Sequence, residues 1–323
     1  MKPFLSIVVA FCDKDYQYIE SLIDNINQSI KLNHEIILID NRESTDVFIN
    51  FKNAKVYKKG FNSYQFEARR FSIQFCSGKY VWFVDADDKI FNINEDLQQI
   101  DADLICFNYV CKNKIIRFPY SIVKLKYLYE KSRINILSSK ELCNKYSKKD
   151  IWDIFGCTLW NKWIKRDLIN SVINLIPENK IIVASEDIFY SSLFITKSNT
   201  VAICSDVIYL YNETLANGNE QTMTDNKFFH IIKGRKNSRE LFEKLIPDYE
   251  KFDDIQYSVA YFYCKLISSQ NPQVCFKEMM NHFSNEELEY GLHHEWITSL
   301  EEDQIEKLYN LYDVNCRKNL SDL

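Results

Sequence analysis

Three carboxylates packed into four residues, Asp85-Ala86-Asp87-Asp88, are the densest chemical signal in this chain of 323 residues. Like charges so close repel unless a cation joins them. Hard divalent ions such as Mg²⁺ or Mn²⁺ take oxygen ligands, often one or two carboxylates plus substrate phosphates. A solvated acidic turn has the same composition, so the cluster alone leaves both readings open. A second acidic pair, Glu186-Asp187, suits proton transfer: a carboxylate beside another carboxylate is held at higher pKa. It also suits a helix start, with Ser185 as N-cap and acids in the first turn. His293-His294-Glu295 lacks the spacing of an HExxH zinc site and reads as a solvated helix face. His230 reads as an ordinary core or surface histidine.

The elements that must position these groups alternate. Phe4–Phe11 is a continuous apolar run, as in a strand buried on both faces. Apolar residues from Tyr16 to Ile30 follow at helical spacing. Glu35–Ile39 is a second strand ending at Asp40, and Lys55–Tyr57 a short third. Ser63–Ser77 reads as a helix with Gly78 as its C-cap. Lys79–Val84 is another buried strand, and it runs straight into Asp85. Such alternation implies a mostly parallel, Rossmann-like sheet flanked by helices, with ligands at the carboxyl ends of its strands. Asp40 and the 85–88 cluster both fall at such ends. Beyond Asn226 the pattern is helical, over 228–246, 255–267 and 286–312. The expected organisation is an α/β domain over 1–225 and a helical C-terminal region over 226–323.

Composition narrows the function classes. The six glycines, at 60, 78, 156, 218, 234 and 291, are too dispersed for a dinucleotide fingerprint or a Walker A loop. A bound diphosphate would need some partner other than a glycine cradle. A net charge of −5 argues against a dedicated nucleic-acid binder. Ten cysteines without a CxxC pair read as reduced thiols. The first residues imitate a signal peptide but lack a small-residue cleavage site, and no apolar run reaches the ~18 residues of a membrane span. Residues 112–149 carry eleven Lys/Arg against two Glu, with interleaved aromatics. That segment suits an anionic acceptor, an anionic membrane surface, single-stranded nucleic acid or plain solvation. Residues 284–323 hold ten Asp/Glu against three Lys/Arg and read as a helical cover or a face for homo-oligomers.

Taken in order, several segments resemble family 2 glycosyltransferases of the GT-A fold. They are Phe4–Val9, Glu35–Asn41 with Ser44-Thr45-Asp46, Ala68-Arg69, and Ser77–Asp88. Leu159-Trp160-Asn161-Lys162 resembles that family's acceptor-side WNK segment, and Ser185–Phe189 its ED motif. The resemblance covers roughly 4–212. It implies that Asp40 and Asn41 lie against the uracil and ribose of a UDP-sugar, with Arg69 near the base or diphosphate. It implies that Asp87 ligates Mn²⁺ or Mg²⁺, that Asp85 faces the ribose or a metal-bound water, and that Asp187 is the catalytic base. Trp160, Lys162 and Glu186 fall on the acceptor side, and Ala10, Phe11 and Ala86 join the donor site. Ala10-Phe11-Cys12-Asp13 replaces the family's common Pro-Thr-Tyr-Asn, so Phe11 is expected to stand in for the missing tyrosine. The loop 212–225 is expected to close over the donor. The implied activity is metal-dependent, inverting transfer of a hexosyl or N-acetylhexosaminyl group to a surface glycan or lipid-linked saccharide, as in polysaccharide biosynthesis. The implied location is cytoplasmic, with peripheral contact at the inner membrane face through 112–149. A nucleotidyltransferase, or a silent sugar- or nucleic-acid-binding module, would use the same scaffold.

Overall fold

The structure, a computed structural model, describes residues 2–42, 50–59, 65–111, 133–145, 158–177, 182, 186–212, 223–246 and 255–317. The chain divides into two compact units: 1–181 with 185–213 and 243–247, and 182–184 with 214–242 and 248–323.

The first unit is built on a nine-stranded mixed sheet among the described residues. β1 (Leu5–Phe11), β2 (His34–Asp40), β3 (Lys55–Lys58) and β4 (Tyr80–Val84) run parallel in the order β3-β2-β1-β4. Their apolar, β-branched sequences fit strands covered on both sides. Every residue of β4 is buried. β1 alternates: Leu5, Ile7, Val9 and Phe11 share one core with Leu22, Ile23 and Ile26 of helix α1 (Ile19–Ser29). Beyond β4 the direction changes. β8 (Lys162–Lys165) is antiparallel to both β4 and β6 (Leu104–Cys111), and β9 (Thr200–Tyr211) is parallel to β6. The two-residue β5 (Lys89–Ile90) and β7 (Ile134–Ser138) pair antiparallel with β9.

Register decides where the site lies. Phe11 pairs with Asp40, and Val9 with Val84, so Ala10, Phe11, Asp40 and Asp85 end level at the carboxyl edge.

Gly78 has another job than the expected helix C-cap. Helix α2 (Gln65–Ser72) gives way to a 3₁₀ turn at Ile73–Phe75, before Gly78 is reached. A Cβ on Gly78 would lie 2.6 Å from the Ser6 nitrogen and 2.9 Å from the Leu5 carbonyl carbon, so glycine permits close approach to β1. Glu35 staples the same corner. Its Oε1 accepts from Ser6 Oγ, Ser77 N–H and Ser77 Oγ, each at 2.7 Å, and its Oε2 pairs with Lys55 at 2.9 Å.

The first unit also holds α3 (Ser139–Lys145), α4 (Arg166–Ile173) and α5 (Glu186–Lys197). The second unit is helical: α6 (Asp225–Leu245), α7 (Ile255–Ile267), α8 (Pro272–Met280), α9 (Asn285–Leu292), α10 (Glu295–Thr298) and α11 (Glu302–Tyr312). Phe228, Ile232, Phe262, Tyr263, Phe276 and Leu288 centre its core. The expected single helix over 286–312 is broken into three. A capping box of Ser284 with Glu287 starts the first piece and one of Glu301 with Gln304 starts the last, which satisfies amide groups locally at both points. Among the described residues, no helix is long and apolar enough to cross a membrane.

Candidate active site

Helix α2 brings Arg69 behind the carboxyl edge, and α5 brings Glu186 and Asp187 in its first turn. The Arg69 side chain is 3% exposed. Its Nη1 bonds Asp187 Oδ1 and lies 4.0 Å from Glu186 Oε1, while its Nη2 lies 3.3 Å from Asp85 Oδ1. Gln65 adds a bond to the same Asp85 oxygen at 2.9 Å. One buried cation therefore gathers three acids from two distant segments. The Asp85 and Asp187 side chains keep 26% and 28% exposure, so both face solvent in front of the guanidinium. Burial favours the neutral acid and pushes Asp85 up to about 6, with Arg69 opposing and Asp187 and Asp87 adding. Burial and the neighbouring Asp187 push Glu186 upward as well.

Asp87 differs from its neighbours. Among the described residues its carboxylate takes part in no hydrogen bond or ion pair. Asp85 spends Oδ1 on Arg69 and Gln65, which leaves Oδ2. Open oxygens on these two carboxylates at a strand end suit a hard divalent cation that completes its shell with phosphate and water. Among the described residues, no set of three His, Cys, Asp or Glu side chains forms a metal cage. Asp88 is turned inward, 4% exposed, and accepts from Tyr209 Oη at 2.6 Å and Asn212 N–H at 2.7 Å. Burial pushes it up to about 8 against those two donors.

The corner around Asp40 differs from expectation in detail. Asp40 is buried and bound on both oxygens by Arg42: Nε to Oδ1 at 3.0 Å, Nη2 to Oδ2 at 2.9 Å. Burial alone would raise Asp40, but the Arg42 bonds hold it below the ordinary carboxylate range. Asn41 follows at the end of β2, its N–H bonded to Phe11 O. Phe11 is 1% exposed, because the two-residue period of β1 sends it into the α1 core. The exposed ring at this corner is Tyr16, at 41%, with the Arg42 guanidinium 4.8 Å from its centroid. Ala10 is half-buried and Ala86 buried.

On the other side, Trp160 and Lys162 are buried rather than presented to a ligand. Trp160 stacks on Tyr209 at 4.6 Å and Tyr211 at 5.3 Å, with Tyr109 edge-on at 4.5 Å. Lys162 is fully buried and donates to Thr158 O and Asn161 Oδ1, which ties down the turn before β8. Arg42, Gln65, Tyr209 and Asn212 carry no signal in the sequence as site residues, and Asp88 enters there only as a member of the acidic cluster. Adjacency alone points to Arg42 and Asp88, as the residues flanking Asp40-Asn41 and Asp87. Ser185, most of 112–149 and the expected donor-closing loop, apart from Asn212 and 223–225, lie outside the described residues.

A strand-end acidic turn and a facing carboxylate thus meet at the carboxyl edge of a mixed sheet with a parallel half. Residues 6–172 match the family model of Glycosyl transferase family 2. The chain belongs to glycosyl transferase family 2, glycosyltransferases that draw on nucleotide sugars. The matched segment runs from β1 past Leu159–Lys162 and stops short of Glu186-Asp187. No curated protein matches the chain in sequence. Among solved structures, S. aureus TarS 1–349 in complex with UDP-GlcNAc is similar, with TM-score 0.56 and 13% identity over 96% of this chain and 79% of that one. TarS 1–349 in complex with UDP gives TM-score 0.52 and 11% identity over 97% and 92%. These likenesses are of fold, and the fold is GT-A.

Proposed function

We propose that the chain moves a hexosyl or N-acetylhexosaminyl group from a UDP-sugar to a hydroxyl of a surface glycan or lipid-linked saccharide, with inversion. The observation that carries this reading is the shared guanidinium: Arg69 binds Asp85 on the donor side and Asp187 on the other. The TarS complexes with UDP and UDP-GlcNAc support the donor class. Asp40, Asn41 and Tyr16 would receive the uracil and ribose. Asp87 and Asp85 would hold Mn²⁺ or Mg²⁺, whose charge would neutralise the departing diphosphate. Arg69 pins Asp187 Oδ1, and Oδ2 makes no bond among the described residues. That oxygen takes the acceptor proton as the hydroxyl attacks the anomeric carbon, and UDP leaves from the opposite face. Residues 112–149 and the C-terminal helices enter the same reading as a contact with an anionic cytoplasmic membrane face and as a surface for a second copy.

The test is separable. Asp87→Ala should abolish Mn²⁺-dependent UDP binding, whereas Asp187→Asn should bind UDP normally and lose transfer. Full transfer by Asp187→Asn, with loss in Glu186→Gln, would move the base to Glu186. Release of pyrophosphate in place of UDP would identify a nucleotidyltransferase.

A further inference from the structure

A turn that carries three carboxylates needs its backbone held, because their mutual repulsion favours opening it. Within the turn, Asp88 N–H reaches Asp85 O at 3.4 Å, a long and weak bond. The stronger ties come from β9. A backbone N–H can only donate, so the Tyr209 oxygen accepts from Asp85 N–H at 3.1 Å. The single phenol proton is then committed to Asp88 Oδ2 at 2.6 Å. One hydroxyl thus bridges the first and last residues of the turn. Asn212, three residues on, donates N–H to Asp88 Oδ1 at 2.7 Å and its side-chain amide to Asp87 O at 3.2 Å.

The sheet sets this up. The turn leads directly into β5, where Ile90 pairs with Tyr209 and Lys89 with Leu210. The Tyr209 ring is fully buried and stacked on Trp160 with planes 12° apart, so its hydroxyl cannot swing away.

We infer that Tyr209 is a positioning residue for donor binding: its hydroxyl fixes the Asp85–Asp88 turn in the form that presents Asp85 and Asp87 to a cation-bound nucleoside diphosphate. The inference rests on the proposed role of that turn. Tyr209→Phe keeps the stacked ring and deletes only the hydroxyl. With the full chain, UDP binding is titrated calorimetrically across a Mn²⁺ series. The dissociation constant for UDP should rise about ten-fold, as for one lost buried hydrogen bond. The half-saturating Mn²⁺ concentration should rise with it. Asp88→Asn should lose affinity similarly, and the double variant should be little worse than either single one. A purely structural role would lower the fraction of binding-competent protein, seen as stoichiometry, and leave the dissociation constant and Mn²⁺ dependence alone. Wild-type affinity and Mn²⁺ dependence in Tyr209→Phe would overturn the inference. A wild-type chain that binds no UDP with Mn²⁺ would overturn the underlying donor reading too.

Discussion

Replacing Arg69 by Met removes the cation that holds three acids together while keeping much of the side chain's bulk. The guanidinium is 3% exposed, and the side chains of Asp85, Glu186 and Asp187 are 26%, 17% and 28% exposed. Removing one partner from a buried ion pair costs about 3–5 kcal/mol, and partial exposure of the acids moves the figure to the lower end, about 3 kcal/mol. For a unit of this size that corresponds to a melting point lower by roughly 6–12 °C near neutral pH. The penalty should depend on pH with a definite sign. Asp85 lies at about 6 and Glu186 above its ordinary value, both higher than the unfolded values of about 3.9 and 4.3. A raised acid stabilises the fold fully below its unfolded pKa and loses that contribution as pH rises through its folded pKa. Without Arg69 both acids rise further, so the loss extends to higher pH. The variant should approach wild-type stability near pH 5 and fall away toward pH 8. Thermal or urea unfolding of both proteins across that range measures the difference. An equal penalty at both ends would refute the argument that electrostatics, rather than lost packing, sets the cost.

Two further outcomes follow from the N-terminal corner of the sheet. Gly78→Ala should cost about 2–3 kcal/mol, because its Cβ meets backbone atoms of Leu5 and Ser6 and the strand must shift; urea unfolding reads this directly. Glu35→Gln should cost about 2 kcal/mol at neutral pH through weakened charge-assisted bonds. Burial raises Glu35, but Lys55, Ser77 and Ser6 outweigh it and hold it below the ordinary glutamate value. A depressed acid stabilises above its unfolded pKa and loses that as pH falls, so the gap from wild type should narrow below about pH 4. A gap that widens on acidification would contradict this.

The parallel half of the sheet was legible because its signals are local. Apolar runs of five to eight residues announced β1, β2 and β4, and an aspartate marks the ends of two of them, Asp40 at β2 and Asp85 just past β4. Six dispersed glycines exclude a glycine-rich phosphate loop and leave those carboxylates as the chemical groups at the strand ends, and the order of the motifs carries the family resemblance. The helical region was less legible, since amphipathic spacing over 286–312 does not show where a side chain caps the backbone and restarts the helix.

What the linear chain determined by itself was which elements form and which acids stand at their ends, since hydrophobic period and turn chemistry act over a few residues. What only the tertiary structure decided was which side chains meet. Arg69 and Asp187 are 118 positions apart, and Tyr209 and Asp85 are 124 apart. No local pattern encodes either contact. Burial was likewise a tertiary outcome: the facing of β1 put Phe11 in the core, Tyr16 in the following 3₁₀ turn stays exposed, and Lys162 at the start of β8 is buried. Residue type and spacing announce available chemistry; Asp40 takes its partner Arg42 from two residues on, but the partners of Asp85, Asp88 and Asp187 arrive from different elements of the fold.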